Sequence, residues 1–175
     1  MKLILFDHHS DMELSSSQRR TMISCGSWVS FALRNNPMLQ KAIIIGPPSF
    51  QIHSLISSKV KVFPIKSTHA VSVNTILSHI ETNTVYMSID KDILEPRDAI
   101  TNWDQGHMDL SKLLQYVRSI KNKKSVHGID ICGEISSSPT EMFLPEYQEA
   151  ITKNKTANIQ ILESILQIPK QYSHI

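Results

Sequence analysis

An α/β architecture, a three-layer αβα arrangement around a mainly parallel sheet, is predicted by two features of this 175-residue sequence. Short continuous apolar runs rich in β-branched residues recur five times, as expected of strands buried on both faces. The stretches between and after them carry helical periodicity, and strands alternating with helices imply βαβ units and therefore a parallel sheet. A chain of this length buries about two-thirds of its unfolded surface in one core, so residues 1–175 are expected to form a single domain.

The first run, Lys2–Phe6, ends abruptly at the polar cluster Asp7–Asp11, which reads as a strand followed by a loaded loop. KAIIIG (Lys41–Gly46), KVKVFPI (Lys59–Ile65), TVYMSI (Thr84–Ile89) and SVHGIDI (Ser125–Ile131) follow, each bounded by Gly, Pro, Ser or Asn. In DLSKLLQYVRSI, Leu110, Leu113, Leu114, Val117 and Ile120 share one helical face and Asp109 is placed to cap the N-terminus. From about Pro145 to Leu166 a long closing helix is predicted, with Ala150, Ile151, Asn158, Ile161, Leu162 and Ile165 recurring at helical spacing and Pro169 marking its end. Ligands are expected at the carboxyl ends of the strands. Ser15–Ser17 and Ser136–Ser138 read either as loops of that active face or as plain solvated loops.

Composition narrows the function. Lys and Arg number 18 against 16 Asp and Glu, and the basic residues are scattered, which leaves no electrostatic footprint for nucleic acid. The apolar N-terminus LILF is too short for a signal sequence, and no run approaches the ~20 apolar residues of a membrane span. Cys25 and Cys132 have neither metal-type nor redox-type spacing, so a cytoplasmic, reducing setting is expected.

Three constellations carry chemistry. In FDHHSDM, Asp7, His9 and Asp11 alternate just past a buried strand, where an extended backbone would aim all three side chains one way. Mixed carboxylate and imidazole donors suit manganese, zinc or iron, although a polar loop with coincidental spacing reads the same taken alone. SIDKDILEP again follows a buried strand and separates Asp90 from Asp92 by one residue, so carboxylates from two strand ends converge on one or two divalent ions. In GIDICGEIS, Glu134 follows the last strand, either to grip a cationic substrate group or as a loop acid or helix-capping partner.

Together these motifs resemble the ureohydrolase family, which contains arginase, agmatinase and related amidinohydrolases, across nearly the whole chain. FDHHSD is similar to the family's D-A-H-x-D, SIDKDILEP to its S-x-D-x-D-x-x-D-P, and GIDICGE to its late strand carrying an acid for the guanidinium, in the same order. The histone-deacetylase-like branch shares a D-x-H motif, but the tandem D-x-D here favours the ureohydrolases. The resemblance implies an arginase-like fold and Mn2+, two ions in a complete site. Asp7 and Asp90 would bridge them, His9 and Asp92 would complete one and Asp11 would serve the other. It further implies that Asp92 orients the nucleophile and that Glu134, after a one-residue shift in spacing, faces a small cationic substrate. The implied reaction is hydrolysis of a carbon–nitrogen bond in a linear amidine or guanidine by metal-activated hydroxide.

The departures from the family are equally specific. Its G-G-D-H motif, on an upstream strand, gives a histidine to the first metal and has no counterpart here, so the expected fold is N-terminally truncated unless another chain supplies that part. In ISCGSWVSFAL, Cys25 stands where the family has a proton-shuttling histidine, which marks Cys25 as a catalytic position held by a different group. NWDQGHM falls where the family has a Gly- and Pro-rich loop, and Trp103, Asp104 and His107 either shape a different pocket or, for Trp103, simply pack. A sheet edge exposed by truncation invites pairing, so a homo-oligomer is expected. The alternative to a ureohydrolase-type enzyme is a catalytically impaired arginase-like domain that binds metal or a partner.

Overall fold

The computed structural model describes residues 1–13, 23–48, 57–65 and 71–166, which leaves Ser15–Ser17 outside it. All five expected strands form: β1 (Lys2–Phe6), β2 (Lys41–Gly46), β3 (Val60–Pro64), β4 (Thr84–Asp90) and β5 (Ser125–Cys132). They make one wholly parallel sheet in the order β3-β2-β1-β4-β5. The chain runs outward from β1 through β2 and β3, then crosses back to lay β4 on the other side of β1. That reversal makes the carboxyl ends of β1 and β4 the crevice where ligands bind in open α/β sheets.

The central strands are buried on both faces because both are covered by helices. Ile4, Ile43, Ile44 and Ile45 have no exposed surface, and each contributes about 1.5–3 kcal/mol on burial. On one face α1 (Trp28–Asn35) packs Val29 and Leu33 among Leu3, Leu5, Ala42 and Ile44. On the other, α2 (Val73–Ser78), α3 (Leu110–Lys123) and α4 (Pro145–Leu166) set Ile76, Leu113, Val117, Ile120 and Ile161 against Ile4, Ile43, Met87 and Ile89. This is the predicted αβα layering. Among the described residues, no helix is long and apolar enough to cross a membrane.

Asp109 caps α3 as expected, its carboxylate accepting from the Lys112 backbone N–H at 2.8 Å. The extent of α4 matches its periodicity, but the inward face differs from the expected one. Ala150, Asn154, Ala157, Ile161 and Ser164 are buried, whereas Leu162 is 43% exposed. The cause is close packing on α3, where Arg118 donates to the Ser164 hydroxyl at 3.1 Å. Asn154 can be buried because its amide exchanges hydrogen bonds of 2.9 and 2.8 Å with the backbone of Ile100.

The two sheet edges are unlike. Three of the five residues of β3 are buried, while no residue of β5 is, its side chains alternating between exposed and half-buried.

Candidate metal centre

The first motif is shaped by backbone contacts before any side chain acts. The Asp7 N–H donates to Ile45 O at 3.1 Å, which carries sheet pairing one residue past β1 and sets the Asp7 carboxylate in a site 2% exposed. Gly46, at φ 137°, permits this, since a Cβ there would stand 2.0 Å from Asp7 O. The chain then bends rather than extends. Asp7 Oδ1 accepts from the His9 N–H at 2.6 Å, and Asp11 adopts a left-handed φ of 50°, the sole non-glycine to do so among the described residues. Asp7, His9 and Asp11 therefore meet through a curled loop and not, as their alternation implied, along an extended strand. Asp11 is fixed by Trp28, whose indole Nε1 donates to Oδ2 at 2.6 Å.

The second motif closes on the first from β4. Asp90 Oδ1 accepts from the Asp92 N–H at 2.9 Å, which tightens the helical turn Lys91–Ile93 and points Asp92 inward. Gly133, at φ 81°, makes room beyond β5, because a Cβ there would lie 2.3 Å from Asp90 Oδ1. The Cys132 thiol donates to Asp90 Oδ2 at 3.3 Å. Asp92, also 2% exposed, accepts from the His8 backbone N–H at 2.9 Å and lies 2.7 Å from His9 Nδ1. Asp7, His9 and Asp92 thus each offer a ligand atom, all within 4.8 Å of one another.

Burial makes these carboxylates reluctant anions. The Asp7 carboxyl is pushed up to about 8, first by burial and then by repulsion from Asp92 and Asp11, against the opposing bond to His9. Burial and the Asp90 charge raise Asp92 to about 6. His9 is raised to about 9 by its bond to Asp7 and by Asp92, which outweigh partial burial. Two buried carboxylates beside a single imidazole are what a divalent cation would stabilise, and oxygen and nitrogen donors in this mixture suit manganese, zinc or iron.

A cavity of 530 Å3 opens over the cluster and brings Asp7, His9, Asp11, Asp90, Asp92 and Cys25 to one wall system. Glu13 and Asp104 line it too, so the carboxylates outnumber the imidazoles of His8 and His9 by six to two. Trp103, 58% exposed, stands at its rim edge-on to His9, with ring centres 6.2 Å apart. Glu134 is not brought there. Its carboxylate takes the ammonium of the fully buried Lys91 and the side-chain amides of Asn154 and Asn158, at 2.9 and 3.1 Å. Trp28 and Lys91 went unread in the sequence. Lys91 stands between Asp90 and Asp92, where the sequence carries no signal that its charge is buried or that Glu134 is its partner.

Residues 1–140 match the family model described as the arginase family. An uncharacterised protein of Thermotoga maritima is 29% identical over 163 residues, which are 93% of this chain and 57% of that protein. Among solved structures, arginase from Bacillus subtilis superposes with a TM-score of 0.68 at 15% identity, covering 97% of this chain and 64% of its own. A hypothetical agmatinase from Burkholderia thailandensis gives 0.64 at 17%, over 94% and 50% respectively. Formimidoylglutamase from Bacillus subtilis gives 0.62 at 18%, over 96% and 54%. At such identities the structures speak for the fold, and this chain spans half to 64% of their lengths. The fold, the acid motifs at the carboxyl edge of its sheet and the match over residues 1–140 together show that the chain belongs to the arginase family.

Proposed function

We propose that this chain carries the metal centre of a manganese-dependent hydrolase acting on a carbon–nitrogen bond of a linear amidine or guanidine. The observation that carries the reading is the pair of buried carboxylates, Asp7 and Asp92, joined by His9 at the floor of a cavity with six acidic side chains. A cavity so charged draws a small cationic substrate and rejects an anionic one. Asp7, His9 and Asp92 would hold one ion, and Asp11 and Asp90 extend the set toward a second. When bound, a divalent ion supplies a concentrated positive charge that acidifies water and polarises the group under attack.

The remaining steps belong to the protein. Trp28 holds Asp11, and the His8 N–H holds Asp92, so the ligands are oriented before substrate arrives. Trp103 and Cys25 line the cavity; in this reading the indole would cover a bound substrate and the thiol would stand in for a proton-exchanging group. Glu134, engaged by Lys91, braces β5 against α4, and recognition of the substrate's charge passes to the cavity acids. Two free cysteines fit a cytoplasmic protein.

The test is metal content by plasma mass spectrometry on protein purified without chelator, with urea release from arginine and agmatine alongside and Asp92→Asn as control. Bound manganese with turnover is the expected result. Metal without turnover favours the second reading, an impaired metal-binding domain, for which Glu134, held by Lys91 away from the cavity, is the supporting observation. Protein that takes up no metal sinks both.

A further inference from the structure

We infer that Lys91 is a positioning residue: with Glu134 it forms a clamp behind the turn Asp90–Asp92 that holds both carboxylates of that turn toward the metal centre. What the clamp serves rests on the metal reading above; the clamp itself rests on geometry. Backbone pairing between β4 and β5 ends at Asp90 opposite Cys132. Beyond that point side chains take over. The Cys132 thiol donates to Asp90 Oδ2 at 3.3 Å. Gly133 comes so close that a Cβ there would stand 2.3 Å from Asp90 Oδ1 and 2.7 Å from the Lys91 backbone nitrogen. The next residue, Glu134, takes the Lys91 ammonium. Residues 132–134 therefore wrap Asp90 and Lys91 from one side, and the ion pair is the tie that closes the wrap.

The direction of Lys91 gives the tie its role. Asp90 and Asp92 line the cavity, whereas Lys91 between them does not and has no exposed surface. Its side chain leaves the turn toward α4, where Asn154 and Asn158 donate to the same Glu134 carboxylate at 2.9 and 3.1 Å. Asn154 is itself tied to the backbone of Ile100 by bonds of 2.9 and 2.8 Å, so the anchor is fixed. A turn held from behind in this way cannot roll, and rolling is the motion that would carry Asp90 and Asp92 away from an ion in the cavity. Stability alone does not account for the pair. Desolvating a buried ammonium offsets most of what its partner returns, and an apolar side chain of similar size would serve the fold about as well. What an apolar side chain could not supply is a directional bond to Glu134.

Charge and clamp make opposite predictions for one variant. Lys91→Met removes a positive charge from beside a cation site, which by Coulomb attraction alone would tighten metal binding, whereas loss of the clamp would weaken it. The experiment titrates manganese into the full chain, Lys91→Met and Glu134→Gln, followed by calorimetry and by the Mn2+ electron paramagnetic resonance spectrum. Affinity at least ~10-fold weaker is expected in both variants, the scale of losing a ligand-orienting partner, together with a changed zero-field splitting. Amide exchange by NMR on the metal-free proteins gives a second readout. The Asp92 and Leu94 N–H groups, bonded to Asp90 Oδ1 and Lys91 O, should exchange about tenfold faster in Lys91→Met while those of β1 do not change. Equal or tighter manganese binding by Lys91→Met would overturn the clamp. Exchange accelerated as much in β1 would overturn it too, by making the pair a general stabiliser. Should the parent protein take up no manganese, the metal reading fails by itself, and exchange at Asp92 and Leu94 alone decides whether the clamp exists.

Discussion

Asp11 pays for its place with a left-handed backbone, and the indole of Trp28 together with the Val29 N–H secures it there. Trp28→Phe keeps most of the packing but removes the donor, so manganese affinity measured by calorimetry should fall by about tenfold, the usual effect of losing a ligand-orienting bond. Lys91 and Glu134 make an unequal pair, one fully buried and the other with a side chain 55% exposed. Glu134→Ala would leave an ammonium unpaired inside the protein. It should cost roughly 2–3 kcal/mol in urea unfolding, less than the ~3–5 kcal/mol of a fully buried pair because solvent already screens the carboxylate. Lys91→Met removes the burden with the charge and should cost under ~1 kcal/mol. The reverse ranking would mean that the pair is held by something other than the buried ammonium. None of this was legible in the sequence, where Lys91 is one lysine among polar neighbours and its neutraliser stands 43 residues away.

At the level of elements, periodicity predicted all five strands to within a residue or so at each end and gave α3 with its cap and α4 with its limits. It failed on the face of α4 because periodicity ranks side chains by apolarity. Asn154 is buried by hydrogen bonds to Ile100, and Leu162 is left outside where no element covers it. The ligand motifs were readable because strand ends bring acids together wherever the loops go, whereas the curl at Asp11 depends on Trp28, seventeen residues on. The cap of α3 carries a signed prediction. Bonds from Ser111 and the Lys112 N–H, with the pull of Arg97, hold the Asp109 carboxyl below its usual 3.8 against slight burial. A depressed carboxyl stabilises the fold above its unfolded pKa and loses that contribution as pH falls through the folded one. Asp109→Ala should therefore lower stability by ~1 kcal/mol at pH 7. Denaturation curves should show this gap narrowing below about pH 4.

For the whole molecule, the proposed metal centre would make metal binding and folding one equilibrium. The proposed ligands come from the ends of β1 and β4, adjacent strands at the middle of the sheet, so an ion that binds them would bind only the assembled protein. Manganese at a hundred times its dissociation constant should raise unfolding free energy by about 2.7 kcal/mol, read as a shift of the urea midpoint that Asp92→Asn abolishes. No shift in the parent protein would mean that the cluster is not a metal site.

The parallel pairing of β1 with β4, Lys2 opposite Val85, also has a consequence for biosynthesis. The first strand and its DHHSD loop are made before the strand that pairs with them and supplies Asp90 and Asp92, which is translated roughly 80 residues later. At about 5–20 residues per second the nascent chain waits several seconds with an apolar strand and two histidines unsheltered. The ligand set proposed above is incomplete until β4 has been released, so a metal held by it would load only after that strand has emerged.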